Sequence, residues 1–130
     1  MGHRPRGHPG HRRPLLEEGK TVGAICGATL GLARTGLLDG RAHTSNRPEL
    51  LQVEGYHGAD HYVDDRVVVD GNLITAPATG YLEFAREILR ATGLLSDAAA
   101  EAWHQMFHTG ERSWEDKLAR ELEKQVSDTP

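Results

Sequence analysis

The sequence is short of cysteine, of long apolar runs and, at its start, of acid, and each shortage excludes something. One cysteine in 130 residues allows no internal disulfide, and no Cys pair or Cys/Cys/His cluster exists to bind zinc. A disulfide-stapled secreted scaffold is therefore excluded, and a reducing, cytoplasmic setting is expected. The longest stretch without Asp, Glu, Lys or Arg, residues 21–33, has thirteen residues. That falls short of the roughly 18 apolar residues a membrane span needs, so no membrane partner is expected.

The first fourteen residues, MGHRPRGHPGHRRP, contain no acid and no apolar residue beyond Met1, but four Arg, three His, three Pro and three Gly. Such a segment cannot build a core. It also lacks the apolar stretch of a secretory signal, and its Gly and Pro would break the helix of a transit peptide. Residues 1–18 are read as a disordered leader, in preference to a weak anion- or RNA-binding arm. The net charge is −4, and the four leader arginines mask a charge of −8 on the remainder. An acidic body argues against nucleic acid as a partner. With 38% apolar and 26% charged residues, the composition is ordinary for one soluble domain.

From Gly19 the pattern becomes regular. The run TVGAIC, residues 21–26, is short, apolar and β-branched, which predicts a strand buried on both faces of a parallel sheet. Residues 28–35 predict a helix closed by Gly36. A short strand is expected at 41–45, a helical segment at 48–53 opening on Pro48, and strands at 61–63, 66–69 and 72–75. Asp70-Gly71 marks a hairpin between the last two. Three helices should follow: one past Pro77 with Thr79 as its cap and Gly93 as its stop, one over 96–107 capped by Ser96, and one over 113–126 capped by Ser113.

The cysteine lies where the first strand should turn into the first helix. A thiol is nucleophilic as thiolate, and a strand-to-helix turn sets sulfur beside free N–H groups and the positive end of the helix dipole. Such a turn favours small neighbours, here Ala24, Gly27 and Ala28. The pattern suits a nucleophile elbow at Cys26, with Gly27 and Ala28 amides as oxyanion donors. It also suits an inert buried thiol.

The segments VGAICGATLGLARTGLLDGRAHTSN and GADHYVDDRVVVDGNLITAPATGYLEFAREIL resemble the C-terminal half of the DJ-1/PfpI family, within the class I glutamine amidotransferase-like superfamily. AICGAT, the HTSN stretch, DGNLITA and LEFAREIL are similar to the branch in which Gly, rather than His, follows the cysteine, and EAWHQMFHTGE is similar to a tail of that branch. The resemblance runs from Glu18 to about Glu111. It implies an α/β, flavodoxin-like, mainly parallel sheet with helices on both faces, incomplete because the front half of the domain is missing, and followed by a C-terminal helical tail. The organisation expected is a leader over 1–18, the DJ-1/PfpI-like half over 19–95 and a helical extension over 96–130.

The resemblance also implies that Cys26 sits on the elbow, with a glutamate from the missing half against the sulfur. The amidotransferase His-x-Glu has no counterpart, since residues 76–83 contain no histidine. Gly27 stands where the protease-like branch has histidine, and Asn46 where DJ-1 has one, so no general base is visible. Glu83 matches a family helix position and is read as structural.

His43 is an outside candidate for a base, its direction left open by strand alternation. His57, Asp60 and His61 lack metal-site spacing, Asp64, Asp65 and Asp70 read as turn and edge acids, and His104 and His108 read as a solvated pair. Neither metal nor cofactor is expected. Three functional readings follow: a cysteine-dependent hydrolase or lyase acting on a small carbonyl or amide substrate, a non-catalytic redox-sensing or ligand-binding module, or a truncated fragment without activity of its own. Open sheet edges predict a homo-oligomer.

Overall fold

The computed structural model describes residues 16–128. The expected leader thus lies outside the described residues up to position 15, whereas Leu16 is buried in the core. The chain divides into two compact units, Met1–Tyr81 and Leu82–Pro130.

The first unit is α/β. Strand β1 (Val22–Ile25) leads into helix α1 (Ala28–Arg34), and strands β2 (Val68–Asp70) and β3 (Leu73–Ala76) form a hairpin. The sheet order is β1-β3-β2, with β1 parallel to β3 and β2 antiparallel to it. The sheet is therefore mixed. Burial on both faces belongs to the central strand β3, all four of whose residues are buried. In β1 only Ala24 is buried and Gly23 is exposed, because β1 is an edge strand among the described residues. The hairpin closes one residue later than the sequence suggests. Asp70 pairs with Leu73, leaving Gly71 and Asn72 as the loop, and Gly71 adopts the positive φ of 59° that such a turn needs.

The strand expected at 41–45 is reduced to one bridge between His43 and Tyr62. The next amide, that of Thr44, faces the other side and donates to the Thr75 side chain (2.9 Å) rather than to a backbone carbonyl of β3. Residues 59–61 form a 3-10 turn, as do Pro48–Leu51 and Ala78–Gly80. Leu16, Ala24, Leu32, Ala33, Leu37, Leu38, Leu51 and Leu73 build the core of this unit. At about 25 cal/mol per Å² of apolar surface, each fully buried leucine contributes roughly 2 kcal/mol.

The second unit is helical, with α2 (Tyr81–Ala91) entering it from the first, α3 (Asp97–Thr109) and α4 (Arg112–Ser127). Ser96 caps α3 by accepting from the Ala99 amide, and Gly110 ends it in the left-handed region. Thr79 does not cap α2 but lies in the preceding 3-10 turn, and the N-cap of α4 is Glu111 rather than Ser113. Gln125 on α4 accepts from the Ser96 amide (2.9 Å) and donates to the Leu94 carbonyl (2.8 Å), tying α4 to the link before α3.

The expectation of a solvated histidine pair fails for His104. The residue is 7% exposed and its Nε2 lies 2.6 Å from Glu83 Oε2, joining α2 to α3, while His108 is exposed and its ring stacks on that of His104 at 5.7 Å. Periodicity placed both histidines on one face but could not show that a carboxylate from another helix meets one of them. Among the described residues, no helix is long and apolar enough to cross a membrane.

Candidate active site at the β1–α1 elbow

Cys26 follows the last residue of β1 and is separated from the start of α1 by Gly27 alone. Its φ of +58° is the one positive value at a non-glycine residue among the described residues. An L side chain in this region is crowded by its own carbonyl, so the conformation persists only where the surroundings hold it. Here they do. The Cys26 amide donates to the Ala76 carbonyl at the end of β3 (3.0 Å), and its carbonyl accepts from the Thr29 amide (3.3 Å) and hydroxyl (2.7 Å).

The sulfur is partly exposed and receives a hydrogen bond from Asn46 Nδ2 (3.2 Å). Asn46 cannot turn its oxygen toward the sulfur without loss, because Oδ1 accepts from the Ala78 amide (2.7 Å). Asn46, from the HTSN stretch, thus reaches the sulfur with an amide that donates and cannot take up a proton. Gly27 and Ala28 are exposed at the opening of α1, where first-turn amides have no intrahelical acceptor. Glycine at 27 is demanded neither by conformation (φ −64°) nor by space, since an added Cβ would meet nothing within 4 Å.

Both ring nitrogens of His43 are engaged elsewhere than at the sulfur. Its Nδ1 lies 2.7 Å from the Arg41 carbonyl, an acceptor, so Nδ1 carries the proton and Nε2 accepts from the Tyr56 hydroxyl (2.8 Å). Tyr56 and Tyr62 flank the ring edge-on at 5.7 and 5.9 Å. Burial lowers the His43 pKa, against the opposing effect of the Arg41 carbonyl, and burial likewise raises that of Tyr56. The ring is a buried neutral member of a polar cluster.

Thr29, Ser45 and the Ala78 amide complete the elbow's surroundings and were not singled out from sequence. Ser45 and Asn46 do lie within HTSN, so the motif carried the signal while the individual roles required coordinates. His57 pairs with Asp39 (3.7 Å), and among the described residues no group of three or more His, Cys, Asp or Glu is arranged to hold a metal.

Comparison with known proteins identifies the family to which this fold belongs. The model of the DJ-1/PfpI family matches residues 12–91. An uncharacterized protease of Bacillus subtilis, YoaZ, is 38% identical over 96 residues, which are 72% of this chain and 46% of YoaZ. The solved structure of a thiJ/pfpI family protein from Bacillus anthracis aligns with a TM-score of 0.78 at 34% identity, covering 86% of this chain and 54% of that one. A DJ-1 superfamily protein from Agrobacterium tumefaciens aligns at 0.70 and 33% identity, covering 79% and 55%. The chain spans about half the length of these relatives. On the strength of a match over more than half its residues, the chain belongs to the DJ-1/PfpI family.

Proposed function

We propose that Cys26 is the reactive thiol of a cysteine-dependent site that attacks a small carbonyl or amide substrate. In this reading the sulfur forms the new bond, the Gly27 amide, with Ala28 beside it, stabilises the oxygen that becomes negative, and Asn46 orients the sulfur and offsets charge on it. The observation that carries the reading is the left-handed backbone at Cys26, a strained conformation that sets a partly exposed sulfur at a strand-to-helix turn with an amide donor aimed at it. The name of the Bacillus subtilis relative, a protease, lends the hydrolytic class further support. A lone thiol of this kind needs a reducing compartment such as the cytoplasm.

The test is the rate of iodoacetamide alkylation at neutral pH, for the native chain and for the chain unfolded in urea. A native rate about tenfold above the unfolded one is expected for an activated thiol. A native rate at or below the unfolded one would sink the reading.

A second reading, reversible oxidation of Cys26, draws on Asn46 itself: a neutral donor whose oxygen is already occupied suits an oxidised sulfur as well as an attacking one. Mass spectrometry after mild peroxide, showing sulfenic or sulfinic acid at Cys26, supports it, and an unmodified thiol counts against it. Either reading is proposed in a homo-oligomer. In β1 the Val22 and Cys26 amides face β3, so Gly23 and Ile25 turn their backbone groups to the open edge. Light scattering after size exclusion checks the oligomer, and a monodisperse monomer would contradict it.

A further inference from the structure

Behind the elbow lie two buried hydroxyls. Thr29 is fully buried and Ser45 is 3% exposed, and their oxygens are 2.8 Å apart. Thr29 Oγ1 is also 2.7 Å from the Cys26 carbonyl. A hydroxyl owns one proton and a carbonyl only accepts. The Thr29 proton therefore goes to the Cys26 carbonyl, and Ser45 must donate to Thr29. The direction of the chain is set: Ser45 hydroxyl to Thr29 hydroxyl to Cys26 carbonyl.

The far end of this chain is itself fixed. The Ser45 carbonyl accepts from the Tyr62 hydroxyl (3.0 Å), and the neighbouring Thr44 amide donates to the Thr75 side chain in β3 (2.9 Å). Ser45 immediately precedes Asn46, whose Nδ2 meets the sulfur. One short segment thus holds Cys26 at two points, its carbonyl through Thr29 and its sulfur through Asn46. A threonine that merely closed a helix turn on the residue three before it would not need the second hydroxyl, sixteen residues away.

We propose that Thr29 and Ser45 are positioning residues for the Cys26 thiol: their relayed hydrogen bond holds the Cys26 peptide in the left-handed conformation that aims sulfur at Asn46. Without the relay, residue 26 relaxes toward an ordinary backbone conformation, and its side chain swings off the Asn46 amide. The inference rests on the reading of Cys26 as the reactive group.

The experiment compares iodoacetamide alkylation rates across pH for wild type, Thr29→Val, Thr29→Ser, Ser45→Ala and the Thr29→Val/Ser45→Ala double variant, with thermal midpoints alongside. Thr29→Val should alkylate about fivefold more slowly at neutral pH and Ser45→Ala, which removes the relay but keeps the direct bond to the carbonyl, about twofold more slowly, with both deficits shrinking at strongly alkaline pH, where every thiol is ionised. Thr29→Ser should restore the wild-type profile, and the double variant should be no slower than Thr29→Val, because Ser45 acts only through Thr29. Lowered thermal midpoints with alkylation profiles unchanged would reduce the pair to a structural role and overturn the inference alone. A wild-type rate no faster than that of the unfolded chain would remove the reading of Cys26 and the inference with it. If Thr29→Val does not fold, Ser45→Ala, which keeps the Thr29 bond to the carbonyl, decides the matter by the same criterion.

Discussion

Asn46 stands between the Ala78 amide and the Cys26 sulfur, accepting at Oδ1 over 2.7 Å and donating from Nδ2 over 3.2 Å. Because the backbone amide fixes which end of the side chain faces the sulfur, the contact is directional. Aspartate has the same shape and can still accept from Ala78, but it would set a negative oxygen against the sulfur. Asn46→Asp should therefore slow alkylation of Cys26 about tenfold at neutral pH. The side chain is exposed, so stability should change by less than about 1 kcal/mol. Alkylation rates measured beside urea midpoints check both halves, and an Asn46→Asp variant that reacts as fast as wild type would show that this contact does not govern the sulfur.

The strain at Cys26 gives a stability prediction of unusual sign. Any side chain in the left-handed region costs about 1–2 kcal/mol, and glycine avoids that cost while adding freedom to the unfolded chain. With φ at +58°, Cys26→Gly should be more stable than Cys26→Ala by about 1 kcal/mol, although both lose the thiol. Urea unfolding of the two variants measures the difference. Equal midpoints, or a more stable alanine variant, would mean that residue 26 is not strained.

The elbow was readable because everything that makes it is local: an apolar, β-branched run, a cysteine, small residues and a helical period within fifteen positions. The hairpin was readable for the same reason, with its loop and second strand displaced by one residue and its first strand opening at Val68 rather than at 66. What holds the elbow was not readable, because it comes from far along the chain. Asn46 meets Ala78 across thirty-two positions and Thr29 meets Ser45 across sixteen, and no period in the sequence records such pairings. His43 shows the same limit at one residue. Alternation allowed it either face, and it was the Tyr56 hydroxyl, thirteen residues on, that decided where its Nε2 points.

The Glu83–His104 pair, buried at 2.6 Å in the helical unit, makes a second kind of claim on stability. Glu101 lies 3.7 Å from the other ring nitrogen, and Arg86 lies 3.8 Å from Glu101, so the pair belongs to a small charged network on α2 and α3. Removing one member of a buried hydrogen-bonded pair leaves the other's polar atoms without that partner, at a cost of about 1–3 kcal/mol and more where the group is charged, whereas replacing both with apolar residues is often far milder. His104→Leu should accordingly lower stability by about 3 kcal/mol, and the Glu83→Leu/His104→Leu double variant should recover part of that loss. Chemical denaturation of the three chains tests the sign of the coupling, and additive losses would rule it out.

His43 supplies the pH dependence. Burial is the largest influence on its ring and lowers its pKa from the ordinary value of about 6.5. Between that lowered folded value and about 6.5, the unfolded chain binds more protons at this residue than the folded chain does, so stability rises with pH across the window. The contribution is complete above the unfolded pKa and is lost as pH falls toward the folded one. Glutamine offers an N–H for the Arg41 carbonyl and an oxygen for the Tyr56 hydroxyl, the two partners of the present ring, but it does not titrate. His43→Gln should thus show a shallower fall in urea midpoint than wild type between about pH 7 and pH 5, with the two slopes converging above about pH 7.5. The remaining histidines are common to both chains, so the difference isolates position 43. Parallel lines across the whole range would place the pH dependence elsewhere.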